Sequence, residues 1–160
     1  MKKWAVIMIL LLIAAVCGIG LLYVSMGVQV RFDRCVATEA PTQQAYFDQL
    51  LHQLSSGAFT GTVFDRKEPG LSDQYQFLTY TVLLTNHANI DAAAAEIRIT
   101  PLPGDLLQLG ETQELTVPAG DEVTLSATIL TGIHTQSIRE AVVTYYIWGL
   151  PFTETITIGS

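Results

Sequence analysis

Twenty-five consecutive residues, Trp4 to Val28, contain no Asp, Glu, Lys or Arg. A bilayer-spanning helix needs roughly 20 apolar residues, so this run can cross a membrane with some tilt. Lys2 and Lys3 precede it, and Arg31, Asp33 and Arg34 follow it. The rival reading is a cleaved secretory signal, whose apolar region is usually about 7 to 15 residues long and ends in a small-x-small cleavage site. Here the run is longer, and the nearest small-residue candidates, Ala37 and Ala40, lie past its end. It therefore reads as one uncleaved span over residues 4–28. Lipidation at Cys17 is rejected: Ala14 and Val16 depart from a lipobox, and the cysteine lies mid-run.

Orientation follows from charge. Two basic side chains flank each end of the span, and the free amino terminus adds a positive charge to the short side. Basic residues mark the cytoplasmic side. The amino terminus is expected in the cytoplasm, with residues 31–160 extracytoplasmic at the cell membrane. From Val36 onward fourteen acidic residues face four basic ones, a net charge of −10. A segment this acidic repels nucleic acid and anionic headgroups, so no nucleic-acid partner is expected. The lysine-led start and the lack of an Asn-x-Ser/Thr acceptor are compatible with a bacterial source.

Three regions follow: tip and anchor over 1–30, connector and amphipathic helix over 31–57, and a β-sandwich over 58–160. Residues 31–40 read as connector. Phe47, Leu50, Leu51 and Leu54 recur at helical spacing with Gln and Asp opposite, which predicts a helix over 41–55. Pro41 suits its first turn and Gly57 its end. Surface helices that bind membranes usually carry Lys and Arg on the polar face; this one has none, so it is expected to pack on the domain. After Gly57 the pattern is strand and turn. Candidate strands are 58–64, 74–85, 95–99, 105–109 at an edge, 114–117, 123–129, 139–148 and 152–158. In the second, Leu78, Tyr80, Val82 and Leu84 lie on one face and Thr79, Thr81 and Thr85 on the other; in the sixth, Val123, Leu125, Ala127 and Ile129 alternate with Thr124, Ser126 and Thr128. Seven or eight short strands with regular turns predict a mainly β, antiparallel sandwich, each sheet with one core face and one wet face.

Three segments carry a family resemblance. They are Tyr80–Asn86, ending in Thr-Asn; Ala95–Ile99; and Val117–Leu125, with Pro118-Ala119-Gly120 before a strand. Together they resemble bacterial cell-envelope immunoglobulin-like modules over about residues 74–158. The resemblance implies an immunoglobulin-like sandwich and no catalytic residue. The Cys–Trp–Cys core of antibody domains is missing.

No chemistry-bearing constellation emerges. His52, His87 and His134 form no metal-ligand spacing, and His87 and His134 can meet only if their loops share one end. Asn86, Asn89 and Asp91 are oxygen ligands a calcium ion could use, but Asn and Asp in a turn more commonly bond their own backbone. No Gly-x-Ser-x-Gly elbow or glycine-rich phosphate loop occurs. The expectation is a protein that is not an enzyme and has no cofactor.

Two surfaces remain. In the span, Ala14 and Gly18 form a small-xxx-small pair that lets helices approach, and Cys35 is an odd cysteine beyond it; these three are the candidate contacts of a homodimer. Tyr145 to Phe152 concentrates aromatics at a predicted hairpin tip. Tyr145 and Ile147 share one face, and Tyr146 and Trp148 the other. Tyr146, Trp148, Leu150 and Phe152 are the candidate protein-partner surface, since aromatics are enriched at binding hot spots and membrane interfaces. The expected function is a membrane-anchored, extracytoplasmic interaction or structural module. The alternatives are an accessory subunit recruited through its transmembrane helix and a ligand-binding domain with an unrecognised site. A pilin-like protein is disfavoured because the Gly-then-Glu processing signature is missing.

Overall fold

The structure, a computed structural model, describes residues 2–25, 27–67, 69–110 and 115–159. Helix α1 runs Lys2–Ser25. At about 1.5 Å per residue it is roughly 36 Å long, enough for a hydrocarbon core of about 30 Å. From Trp4 to Leu22 its apolar side chains are exposed, and the stretch Lys3–Leu22 is not buried against the rest of the chain. The expected 4–28 span changes at its C-terminal end. Met26 lies outside the described residues, and Val28 already belongs to the folded domain.

The expected connector is a strand. β1, Val28–Glu39, pairs antiparallel with β3, Tyr75–Asn86, from Val28↔Asn86 to Glu39↔Gln76. A bulge between Phe32 and Arg34 interrupts the register. It lets Val30, Phe32 and Cys35 all pack on the main core, although the step from Phe32 to Cys35 breaks a period of two. A bulge places two residues opposite one and so restores the facing. Unbroken alternation was the strand signal elsewhere, which is why the sequence reads as connector here.

A 3-10 turn, Ala40–Gln43, leads into helix α2, Gln44–Ser56. Gly57, at φ 71°, ends it: the amide of Ala58 donates to the Gln53 carbonyl at 2.9 Å. This is the left-handed closure that glycine favours. Phe47 and Leu50 are buried against Phe77, Leu107 and Leu130, so α2 packs on the domain.

The other strands are β2 Gly61–Val63, β4 Ala92–Ile99, β5 Asp105–Leu109, β6 Leu115–Val117, β7 Glu122–Gly132, β8 Arg139–Ile147 and β9 Leu150–Ile158. They form two antiparallel sheets, β1-β3-β7-β5-β2 and β6-β4-β8-β9. Glu114, expected to open the sixth strand, lies outside the described residues. β5, expected at an edge, is internal: β2 pairs outside it and its residues are mostly buried. The predicted alternation holds in β3 and β7. Leu78, Tyr80, Val82, Leu84, Leu125, Ala127 and Ile129 face the second sheet, while Thr79 and Thr128 join hydroxyls at 2.9 Å on the other face.

A buried ion pair holds the pole away from α1. Arg139 donates from Nε to Asp105 Oδ2 at 2.9 Å and from Nη2 to Oδ1 at 2.8 Å, with both side chains fully buried. Its Nη1 donates to the carbonyls of Gln136 and Ile138. Tyr80 donates to the Ser137 carbonyl at 2.6 Å, and burial holds its hydroxyl protonated well above the usual tyrosine range. Nothing in the sequence signalled this cluster, because a lone Arg and a lone Asp 34 residues apart have no local pattern.

Candidate functional site

The pole nearest α1 is assembled from four pieces, and the strand register places each. Only residues 26 and 27 separate α1 from β1. Val28 pairs with Asn86, where β3 ends; Ala92 pairs with Val117; Ala93 pairs with Tyr146. The loops 86–91 and 118–121 and the β8–β9 hairpin tip therefore share the end of the sandwich at which α1 arrives.

Asn86 ties this pole together. It is fully buried, and its amide donates to the carbonyls of Ile90 at 2.8 Å and Val117 at 3.1 Å. Its side-chain oxygen accepts from the Ala88 amide at 3.0 Å. Its backbone bonds Gly120 and Asp121, while Asp91 accepts from the Ala119 amide at 2.8 Å. Asn86 and Asp91 thus serve as turn residues whose oxygens meet backbone N–H groups. The junction is fastened as well. The amide of His87 donates to the Gly27 carbonyl, and a Cβ on Gly27 would lie 2.5 Å from that of Ala88. Only glycine permits that approach.

The hairpin turns over Trp148 and Gly149, with Ile147 paired to Leu150. Both turn residues have positive φ, 53° and 77°, as the two-residue turn that matches strand twist requires. Tyr145 and Ile147 are buried; Tyr146, Trp148 and Leu150 are 37%, 69% and 45% exposed. The expected two faces are therefore present. Phe152 departs from the expected surface. It turns inward, stacks on Tyr145 at 5.8 Å, and is half-buried at the margin of the main core. It also lines an apolar cleft with Ala15, Gly18, Ile19, Leu21 and Leu22 of α1, so the hairpin stands beside the last turns of the helix.

The homodimer candidates separate. Ala14 and Gly18 are exposed on α1, with nothing within 4 Å of a Cβ built on Gly18. Cys35 is half-buried and turned to the main core, and burial raises its thiol pKa despite the positive charge of Arg139. A protonated, inward thiol is a poor nucleophile for a bond to a second chain; the expectation assumed an exposed one. Glu154 on β9 also has a raised pKa through burial, and it raises that of Tyr145, itself raised first by burial.

The three histidines lie apart. His87 is in the loop at the α1 pole, His134 follows β7 at the opposite pole, and His52 is on α2. No group of three or more His, Cys, Asp or Glu suited to a metal occurs among the described residues.

No family model matches the chain, and no curated protein does. Among solved structures it is similar to distant β-sandwich-like folds. One is a Northeast Structural Genomics Consortium target, at 12% identity and TM-score 0.46, over 86% of this chain and 89% of that one. A FixG-related protein from Vibrio parahaemolyticus gives 12% and 0.35, over 82% and 93%. The cupredoxin domain of amoB from Nitrosocaldus yellowstonii gives 14% and 0.31, over 82% and 87%. At these values no activity or ligand carries over.

Proposed function

We propose that the chain is a single-pass membrane protein that holds a β-sandwich against the extracytoplasmic face of the cell membrane as a non-enzymatic docking module for a protein partner. The α1–β1 junction carries the reading. A helix of spanning length passes into a core strand within two residues, and Gly27 is buried against the loop at 86–91. Such a domain is not swung on a stalk; it is held at fixed height where a neighbouring protein can meet it. The Thr85-Asn86 strand end and the Pro118-Ala119-Gly120 turn, quoted above for the immunoglobulin-like resemblance, lie side by side through the Asn86 bonds, which supports an immunoglobulin-like sandwich.

The β9 edge is the surface best suited to the partner. β2 and β6 are edges of three residues each, and β1 carries Arg31, Asp33, Arg34 and a bulge. Charges and bulges blunt an edge. β9 offers nine residues without a bulge, hydrogen-bonds on one side to β8 while approaching β1 on the other, turns its one charged residue, Glu154, inward, and exposes Thr153, Thr155 and Thr157. An extended segment added there would gain main-chain hydrogen bonds.

Photo-crosslinking in living cells tests this, with the probe at Thr155 and separately at Gln29. A specific protein adduct from Thr155 is expected. Adducts from Gln29 alone would favour the accessory-subunit reading, in which the exposed face of α1 is the binding element. Absence of protein adducts at both positions would overturn the docking role.

A further inference from the structure

We infer that the β8–β9 hairpin tip is a second membrane contact, an interfacial foot that Trp148 and Leu150 set into the bilayer α1 spans. The inference rests on the anchored reading above and adds an occupant for the hairpin: lipid at the headgroup–acyl boundary.

Four observations converge. The first is position. Ser25 ends α1 and Val28 opens β1, so the domain starts within about 11 Å of the helix end. The hairpin tip lies at that same pole, two residues beyond the Ala93↔Tyr146 pair. The second is depth. Phe152 shares a cleft with α1 residues from Ala15 to Leu22, which lie about 5–15 Å down the helix axis from Ser25. Interfacial apolar elements sink about 5–10 Å. The third is composition. No charged residue occurs from Ala141 to Thr153, while Tyr146, Trp148 and Leu150 are exposed together. Trp and Tyr are the residues enriched at membrane–water interfaces. Trp4 stands about 32 Å from Ser25 along the helix, so α1 and the hairpin would place one Trp at each face of the bilayer.

The fourth is strain. Trp148 adopts φ 53° at the first position of a turn that favours Asn or Gly. A bulky side chain in that conformation is costly, and at 69% exposure the indole returns little to the fold. A contact outside the domain accounts for it. Asp91, Asp121 and Glu122 are the acidic groups at the same pole. They make anionic headgroups an unfavourable partner, so insertion is driven by apolar burial and does not weaken with salt.

The full chain is reconstituted in zwitterionic vesicles as two single-tryptophan variants, Trp4→Phe to report on Trp148 and Trp148→Phe to report on Trp4. Quenching is read with lipids brominated shallow or deep in the acyl chain, and with aqueous iodide. The inference expects both tryptophans to be quenched by lipid, Trp148 more by shallow bromines, and shielded from iodide in low and high salt alike. Leu150→Asp in the Trp4→Phe background should return Trp148 to iodide. If Trp4 is quenched by lipid while Trp148 responds only to iodide, the foot is wrong and the anchor stands. If Trp148 is shielded from both quenchers, the hairpin sits against protein and the foot is again overturned. If neither tryptophan is quenched by lipid, the anchored reading fails and the foot fails with it.

Discussion

Trp148 occupies a turn position at which asparagine relieves backbone strain. Trp148→Asn should therefore stabilise the fold by about 1 kcal/mol, read as a raised urea midpoint at unchanged slope, while abolishing the lipid quenching described above. Glu154 works in the opposite sense. Burial raises its pKa, so the folded state disfavours the carboxylate. Its contribution is fully present below the ordinary glutamate range and is lost as pH rises through the raised value. Glu154→Gln should then stabilise the protein at about pH 7 and have little effect near pH 4, in paired denaturation curves. Asp105 is the residue whose loss is most damaging. Asp105→Ala leaves the Arg139 guanidinium buried without its carboxylate, a change expected to cost about 3–5 kcal/mol. Asp105→Leu combined with Arg139→Met should recover most of that.

Among the elements, legibility tracked local periodicity. β3 and β7 could be read because every second residue through most of each strand is apolar, and β9 because Phe152, Ile156 and Ile158 keep one facing around Glu154. α2 could be read from its four apolar positions and from Gly57. β1 could not, because Asp33 offsets the alternation and the bulge that corrects it exists only against a partner strand. Deleting Asp33 should remove the bulge and leave Phe32, Arg34 and Cys35 in unbroken alternation against Val82, Thr81 and Tyr80. The thiol of Cys35 would keep its inward facing. Alkylation of Cys35 in a Cys17→Ala background should be slow in both the native chain and the deletion variant; fast alkylation in the deletion variant would show that Asp33 is not the offset residue. The hairpin was legible in its facing but not in its reach: alternation separated Tyr145 from Tyr146, whereas the inward turn of Phe152 depends on stacking against Tyr145.

At the scale of the molecule the domain begins at Val28. A fragment of residues 27–160 should fold cooperatively, with dispersed amide resonances. A fragment of residues 58–160, the boundary suggested by strand patterning, should not. It lacks β1, which leaves the β3 edge unpaired, and it lacks α2, which uncovers Phe77, Leu107 and Leu130. The long apolar helix, the class of the domain and the facing of its regular strands follow from sequence alone, because length without charge and period-two alternation act between near neighbours. The strand hidden in the apparent connector, the buried Arg139–Asp105 pair and the meeting of α1, Asn86 and the Trp148 hairpin at one pole were decided by tertiary structure. Each joins residues tens of positions apart, and only closure of the two sheets on a shared core brings them together.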